Sequence, residues 1–325
     1  MTFHWGLLGT ARINRALIPP LRASARNELV AVASRSIEKA EAYAKQWNIP
    51  RAFGSYEAML ADPDIDVIYN SLPNRLHAEL TIKAAQAGKH MLCEKPLAVT
   101  VDEVDAVRAE AGQAGVVVAE AFMYRHHPQT LKIKELVDSG AIGTLRLVRG
   151  SFTFNLAREA DVRLDPALSG GSIWDVGCYP IGYARFVVGA EPIEVFGWRV
   201  TGPTGVDEVF AGQMRFTGEV YAQFDCGFRA PFRTHIEIVG GEGTISVPHP
   251  FKPGVNEQIH LTRGDDVETI VIPGQELYVG EVEDMADAIL LGKAPRVSLA
   301  DSRGNVASIA ALLQSAREGR PVPVL

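Results

Sequence analysis

The spacing of apolar and polar positions changes character once along the chain. Over residues 1–120, short runs of apolar and β-branched residues at 5–8, 29–33, 67–70, 90–93 and 116–119 alternate with stretches of helical period at 13–23, 37–47, 56–61, 78–87 and 101–114; a weaker run lies around Ala52. Nearly continuous apolar strands separated by helices predict a parallel sheet whose crossover helices cover both faces. The helix punctuation agrees. Thr100 followed by Glu103 predicts a capping box, and Gly88 and Gly115 stand where glycine ends a helix. The expectation is a doubly wound α/β domain over residues 1–121.

Beyond about residue 122 the period becomes two. After one helix at 130–138, alternating runs occur at 145–155, 193–200, 209–216, 220–228, 235–239, 244–247, 258–262 and 268–272, many joined by turn signals such as Thr217-Gly218 and Gly240-Gly241. They predict a large, mostly antiparallel open sheet. Helices at 278–291 and 299–317 complete a second, α+β domain expected over 122–325.

Composition narrows the class of function. The chain has 325 residues, 47% hydrophobic and 22% charged, enough to build two cores. A formal charge of −7, with basic residues scattered, argues against a nucleic-acid partner. Charges and glycines interrupt every apolar stretch well before the roughly 20 residues of a membrane helix, so no membrane partner is expected. Met1-Thr2-Phe3-His4-Trp5 runs straight into a strand pattern without the features of an export signal, which makes the cytoplasm the expected location. Cys93, Cys178 and Cys226 are odd in number and far apart, as reduced thiols would be. His126 and His127 are adjacent and point apart on any regular element, a poor metal pair, and no metal is expected.

Candidate chemistry gathers at strand ends. Gly6-Leu7-Leu8-Gly9-Thr10-Ala11-Arg12-Ile13 closes the first strand and opens the first helix, with spacing G-x-x-G-x-A rather than G-x-G-x-x-G/A. Gly9, Thr10, Ala11, Arg12 and Ile13 there can bring backbone amides and the positive end of a helix against a phosphate, or can form an ordinary βα turn. The second strand ends in Ser34-Arg35 where an NAD enzyme usually carries an acid; Arg35 can pair with a 2′-phosphate, favouring NADP over NAD, or can be a solvated arginine. Ser71, Leu72, Pro73, Asn74 and His77 follow the fourth strand over the expected cofactor, Asn74 serving as an N-cap, a cofactor contact or both. Glu94-Lys95-Pro96 ends the fifth strand at the same edge, aiming Lys95 at the nicotinamide ribose, with an exposed Lys–Glu pair as the plainer alternative. In the second half, residues 170–180 read GGSIWDVGCYP; a helix beginning at Trp174 would place Asp175 and Tyr179 on one face, either as proton-transfer chemistry or as a buried hydrogen-bonded pair.

These motifs together resemble the glucose-fructose oxidoreductase, inositol dehydrogenase and rhizopine-catabolism family, Gfo/Idh/MocA, along essentially the whole chain. The resemblance implies an N-terminal Rossmann domain and hydride transfer between NAD(P) and a carbon bearing a hydroxyl. It also implies a C-terminal sheet that often forms a homodimer or homotetramer. Lys95 takes the place of the family's catalytic lysine, Asp175 of its acid near the substrate and Tyr179 of its proton donor or acceptor. Tyrosine at 179, with the runs at 120–125 and 170–179 and Ser34-Arg35, is similar to the glucose-fructose oxidoreductase, dihydrodiol dehydrogenase and xylose dehydrogenase group, implying an NADP-dependent sugar or polyol oxidoreductase. Tyr124, Arg125, Arg163 and Trp174 are the expected substrate-pocket residues. Two alternatives stay open: an NADPH-dependent reductase of an anhydro-sugar ketone or a dihydrodiol dehydrogenase, and a non-catalytic sensor of nicotinamide state.

Overall fold

Strand β1 (Phe3–Leu8) is buried along nearly its whole length and lies at the middle of a parallel sheet. The computed structural model describes residues 2–157 and 161–324. The other strands of this sheet are β2 (Asn27–Ala33), β3 (Arg51–Phe53), β4 (Val67–Asn70), β5 (His90–Glu94) and β6 (Val118–Ala121), in the order β3-β2-β1-β4-β5-β6. Every adjacent pair is parallel. The order reverses beside β1, which makes the carboxyl edge between β1 and β4 the topological switch point where open α/β sheets bind ligands. The last strand begins two residues later than its apolar pattern suggested, because Val116 accompanies the helix stop at Gly115, whose φ is 67°.

The intervening helices are α1 (Asn14–Ala23), α2 (Ile37–Trp47), α3 (Tyr56–Leu60), α4 (His77–Gln86) and α5 (Val101–Ala114). Thr100 and Glu103 form the expected capping box at α5. The chain divides into two compact units, and the division differs from a single boundary after residue 121. The first unit holds Met1–His126 together with Tyr278–Arg303. Packing explains the return. Helix α8 (Val279–Leu291) contributes Val282, Met285 and Ala286 to one apolar cluster with Trp5, Leu7, Leu17, Leu21 and Tyr69. Beside it, Arg26 donates through Nε to Glu283 at 2.8 Å and through Nη1 to Asp287 at 2.6 Å.

The second unit comprises His127–Leu277 and Gly304–Leu325. Its strands are β7 (Leu145–Asn155), β8 (Glu194–Thr201), β9 (Asp207–Arg215), β10 (Tyr221–Gly227), β11 (Arg229–Gly240), β12 (Thr244–Val247), β13 (Asn256–Arg263), β14 (Asp266–Pro273) and the short β15 (Val322–Pro323). They form a nine-stranded sheet, β14-β13-β12-β11-β7-β10-β9-β8-β15. All pairings are antiparallel except β7 with β10. Helices α6 (Pro128–Asp138) and α7 (Cys178–Val188) belong to this unit, as does the part of α9 (Leu299–Glu318) from Gly304 onward. One sheet face is buried through Val148, Phe152, Phe210, Met214, Phe224, Ile236 and Ile238; Trp198 and Tyr221 stay 56% and 49% exposed.

Candidate active site

In the first unit the cofactor motif is a close-fitting turn. Gly9 has φ +90°, and a Cβ there would lie 2.9 Å from Leu72 Cδ2, so both backbone conformation and neighbour require glycine. Asn14 Nδ2 donates to the Gly9 carbonyl at 2.9 Å and the Gly9 N–H donates to the Ala33 carbonyl at 2.9 Å, fixing the turn against the end of β2. Helix α1 then starts with no side-chain cap and no acid in its first turn. Thr10, Ala11 and Ile13 are half-buried and Arg12 is exposed, leaving a helix start suited to a phosphate. Ser34 is buried and Arg35 exposed at the end of β2. Arg35 stands beside the Tyr56 hydroxyl, opposing the upward push that burial gives the phenol. Tyr56 carries no motif, and only the short strand before it brings it here.

Residues 71–77 serve the turn as scaffold. The Ser71 hydroxyl donates to the Leu8 carbonyl at 3.0 Å. Asn74 opens a 3-10 turn, Asn74–Leu76, whose N-cap is Pro73, so Asn74 is not the cap considered from sequence. His77 is 1% exposed; its Nδ1 lies 2.6 Å from the Pro96 carbonyl and its Nε2 2.6 Å from the Leu72 carbonyl. A cofactor contact was expected of His77, but both ring nitrogens are occupied by backbone, and burial lowers its pKa. The ring joins the segment after β4 to the segment after β5.

That junction holds Lys95. Glu94 and Lys95 are half-buried at the end of β5, Pro96 is buried, and the Lys95–Pro96 peptide is cis. The Leu97 N–H donates to Glu120 Oε1 at 2.9 Å, and the Tyr69 hydroxyl donates to Glu94 Oε1. Behind them Glu281 of α8 is buried, and burial reinforced by the Glu94 charge holds its carboxyl well above the usual range. Nearby, Tyr124 is fully buried and Arg125 pairs with Asp301 at 2.6 Å, so this guanidinium is committed to an internal ion pair.

In the second unit the expected α-helix at Trp174 is instead a π-helix, Ile173–Gly177, which passes into α7 at Cys178. Its wider turn places Asp175 in the π segment and Tyr179 in the α-helix, so the simple four-residue face does not describe them. Arg163 Nε donates to Asp175 Oδ2 at 2.6 Å and Nη1 donates to Asp161 Oδ1 at 3.1 Å. The Asp175 charge, chiefly, raises the Arg163 pKa further. Arg163 therefore holds Asp175. Trp174 is 7% exposed. The Tyr179 ring packs edge-on to Phe152 at 5.3 Å and tilted to Phe251 at 5.5 Å, and those two phenylalanines stack on each other. Neither was foreseen; the bracket of Pro250 and Pro253 around Phe251 is the one local sign that its loop is rigid.

Among the described residues no cluster of three or more His, Cys, Asp or Glu could hold a metal ion, and no helix is long and apolar enough to cross a membrane. The three cysteines are buried without disulfides, and burial pushes the Cys93 and Cys226 thiols up, away from the reactive thiolate.

The first unit carries a nucleotide-type turn at the switch point of a doubly wound sheet, and the second holds Asp175 and Tyr179 on a segment packed against an open sheet, an arrangement suited to a nucleotide-dependent enzyme. Residues 3–122 match the family model "Oxidoreductase family, NAD-binding Rossmann fold" and residues 130–246 match the "GFO/IDH/MocA C-terminal domain". The chain belongs to the GFO/IDH/MocA family and is an NAD(P)-dependent oxidoreductase. It is 38% identical over 323 residues to D-xylose 1-dehydrogenase (NADP(+)) 2 of Haloferax volcanii, covering 98% of each chain. Among solved structures, it resembles an aldose-aldose oxidoreductase of Caulobacter crescentus complexed with glycerol, with TM-score 0.92, 26% identity and coverage of 99% of this chain and 100% of the other. It also resembles KijD10, a 3-ketoreductase of Actinomadura kijaniata in complex with NADP and TDP-benzene, with TM-score 0.92, 29% identity and coverage of 97% and 98%.

Proposed function

We propose that this protein is an NADP-dependent sugar or polyol dehydrogenase of the aldose 1-dehydrogenase type. The observation that carries the reading is the presentation of Asp175 and Tyr179. The carboxylate is held by Arg163, and the phenol stands against the Phe152–Phe251 wall. An NADP preference is supported by Ser34-Arg35 in place of a ribose-binding acid.

The residues present fit the cofactor: the Gly9 turn and the uncapped start of α1 would take its pyrophosphate, Arg35 its 2′-phosphate, and Lys95 its nicotinamide ribose. When bound, the nicotinamide supplies the hydride acceptor. The protein then has three tasks. Tyr179 Oη takes the proton of the substrate hydroxyl as the carbon is oxidised and returns it in the reverse direction. Asp175 accepts a hydrogen bond from a substrate hydroxyl and orients the carbon. Lys95 contributes a positive charge that anchors the nicotinamide ribose.

The test is to mix the purified protein with NADP or NAD and a panel of aldoses, anhydro-sugars and polyols, following reduced-cofactor absorbance. Rapid NADP reduction by an aldose is expected. Tyr179→Phe is expected to lose most turnover while still binding NADPH, and unchanged turnover would refute the assignment. A reductase working in the opposite direction is the second reading, favoured by the similarity to KijD10, and NADPH oxidation with a keto-sugar but silence with every alcohol would establish it. We further propose that the uncovered face of the nine-stranded sheet joins copies of this chain into a dimer or tetramer, since exposed aromatic residues such as Trp198 and Tyr221 in one sheet favour burial. Trp198→Lys is expected to lower the mass measured by light scattering; a wild-type monomer would overturn this.

A further inference from the structure

Asp207, the first residue of β9, belongs to none of the motifs above, yet it is buried against the segment that carries Asp175 and Tyr179. Its Oδ2 accepts two hydrogen bonds, from the Ser172 hydroxyl at 2.6 Å and from the Ile173 N–H at 2.8 Å. Ser172 is fully buried. Gly171 has φ +124°, and a Cβ there would lie 2.4 Å from Asp207 Oδ1. The backbone is therefore pressed onto this carboxylate on one side and bonded to it on the other. A helix leaves its first amides without internal partners, and a π turn is a rare conformation that persists where its surroundings hold it. Asp207 supplies an acceptor where Ile173–Gly177 begins.

The arrangement spends a buried charge. Burial pushes the Asp207 carboxyl up, opposed by the Ser172 hydroxyl and the Ile173 amide. A carboxylate accepts both donors on one oxygen in a single geometry, more strongly than a neutral group does. From the opposite side the Arg163 carbonyl accepts the Gly171 N–H at 2.8 Å while its guanidinium holds Asp175. The segment is fixed from the loop and from the sheet.

We infer that Asp207 is a positioning residue for the reaction proposed above. It sets the start of the π turn and so the placement of Asp175 and Tyr179, touching neither substrate nor cofactor. The inference rests on that functional reading, and the experiment separates the two. Asp207→Ala, Asp207→Asn, Ser172→Ala and Tyr179→Phe are compared with wild type in the full chain, with D-xylose and NADP as the probe pair. Asp207→Ala is expected to lower kcat by about 10- to 100-fold, with a smaller change in KM for the sugar and no change in NADPH affinity. Asp207→Asn is expected to recover kcat to within about threefold, because an amide oxygen in the place of Oδ2 can accept from both the Ile173 N–H and the Ser172 hydroxyl. Ser172→Ala is expected to lie between them. If Tyr179→Phe is inactive but folded Asp207→Ala keeps wild-type kcat, the positioning role is wrong and the functional reading stands. If Tyr179→Phe keeps its turnover, the functional reading is wrong. Amide hydrogen exchange across residues 171–179 decides the placement without substrate. Exchange faster in Asp207→Ala and restored in Asp207→Asn supports the role, and equal exchange in all three overturns it. Should the alanine variant not fold, Ser172→Ala gives the same comparison, and no slowing of kcat and no faster exchange there would count against the role.

Discussion

His126 offers a measurable consequence of burying an imidazole without compensation. It ends the 3-10 turn Met123–His126, is 7% exposed, and its Nδ1 has no hydrogen-bond partner among the described residues. Burial first, then the charges of Arg296 and Arg125, pull its pKa from 6.5 to about 3. Asp284 lies 3.9 Å from Nδ1, too far for a hydrogen bond, and its own carboxyl is pushed up by burial. The sign follows from proton uptake. Below the unfolded value the unfolded histidine gains a proton while the folded one does not, so stability present at neutral pH is lost as pH falls. At about pH 5 the unfolded form is favoured by about 1.5 log units, or ~2 kcal/mol. His126→Gln stays neutral throughout. Urea unfolding of both proteins at about pH 8 and about pH 5, followed by tryptophan fluorescence with buried Trp5 as a reporter, should show the difference between them moving by ~2 kcal/mol in favour of the variant at the lower pH. His77, His90 and His127, whose values burial also lowers, contribute equally to both proteins and cancel. A difference that does not change with pH would refute the neutral, unpartnered burial of His126.

Gly9→Ala combines a positive φ with a methyl 2.9 Å from Leu72 Cδ2, and is expected to weaken NADPH binding about 10-fold or more by calorimetry; unchanged affinity would mean the turn does not receive the pyrophosphate. Arg35→Ala should weaken NADP by roughly 10- to 100-fold and leave NAD nearly unaffected, because only the former carries the 2′-phosphate; an equal loss for both would assign Arg35 to the adenine instead.

The parallel half of the fold was legible because its signals are local and repeat. Apolar strands, a capping box at Thr100 and a glycine stop at Gly115 each act within a few residues, and their order alone implies crossover helices. What sequence did not reveal was that Tyr278–Arg303 belongs to the first unit. The pattern of α8 shows that it has an apolar face, but Val282, Met285 and Ala286 fit the face of the first unit for reasons of three-dimensional shape. The parallel pairing of β7 with β10 was illegible for the same kind of reason, since alternation fixes which side chains share a face and says nothing about strand direction.

The site shows the same division more sharply. The strand-end positions of Gly9 and Lys95 were legible from the order of strands and helices, and a strand end in a doubly wound sheet is a position that topology assigns to ligands. His77 was misplaced by the same rule. Its position after β4 is correct, but its ring turns inward to two carbonyls, a choice set by burial rather than by order. In the second unit a helical period led to the wrong turn, because an i→i+5 segment has no hydrophobic rhythm of its own and depends on what holds it. Asp207 stands 35 residues from Ser172, and Phe152 and Phe251 reach Tyr179 from β7 and from the loop after β12. Motifs therefore name the groups proposed to meet the substrate. Their placement depends on sheet positions whose sequence neighbours carry no chemical signal, and substitutions there are the ones expected to change rate while the motif stays intact.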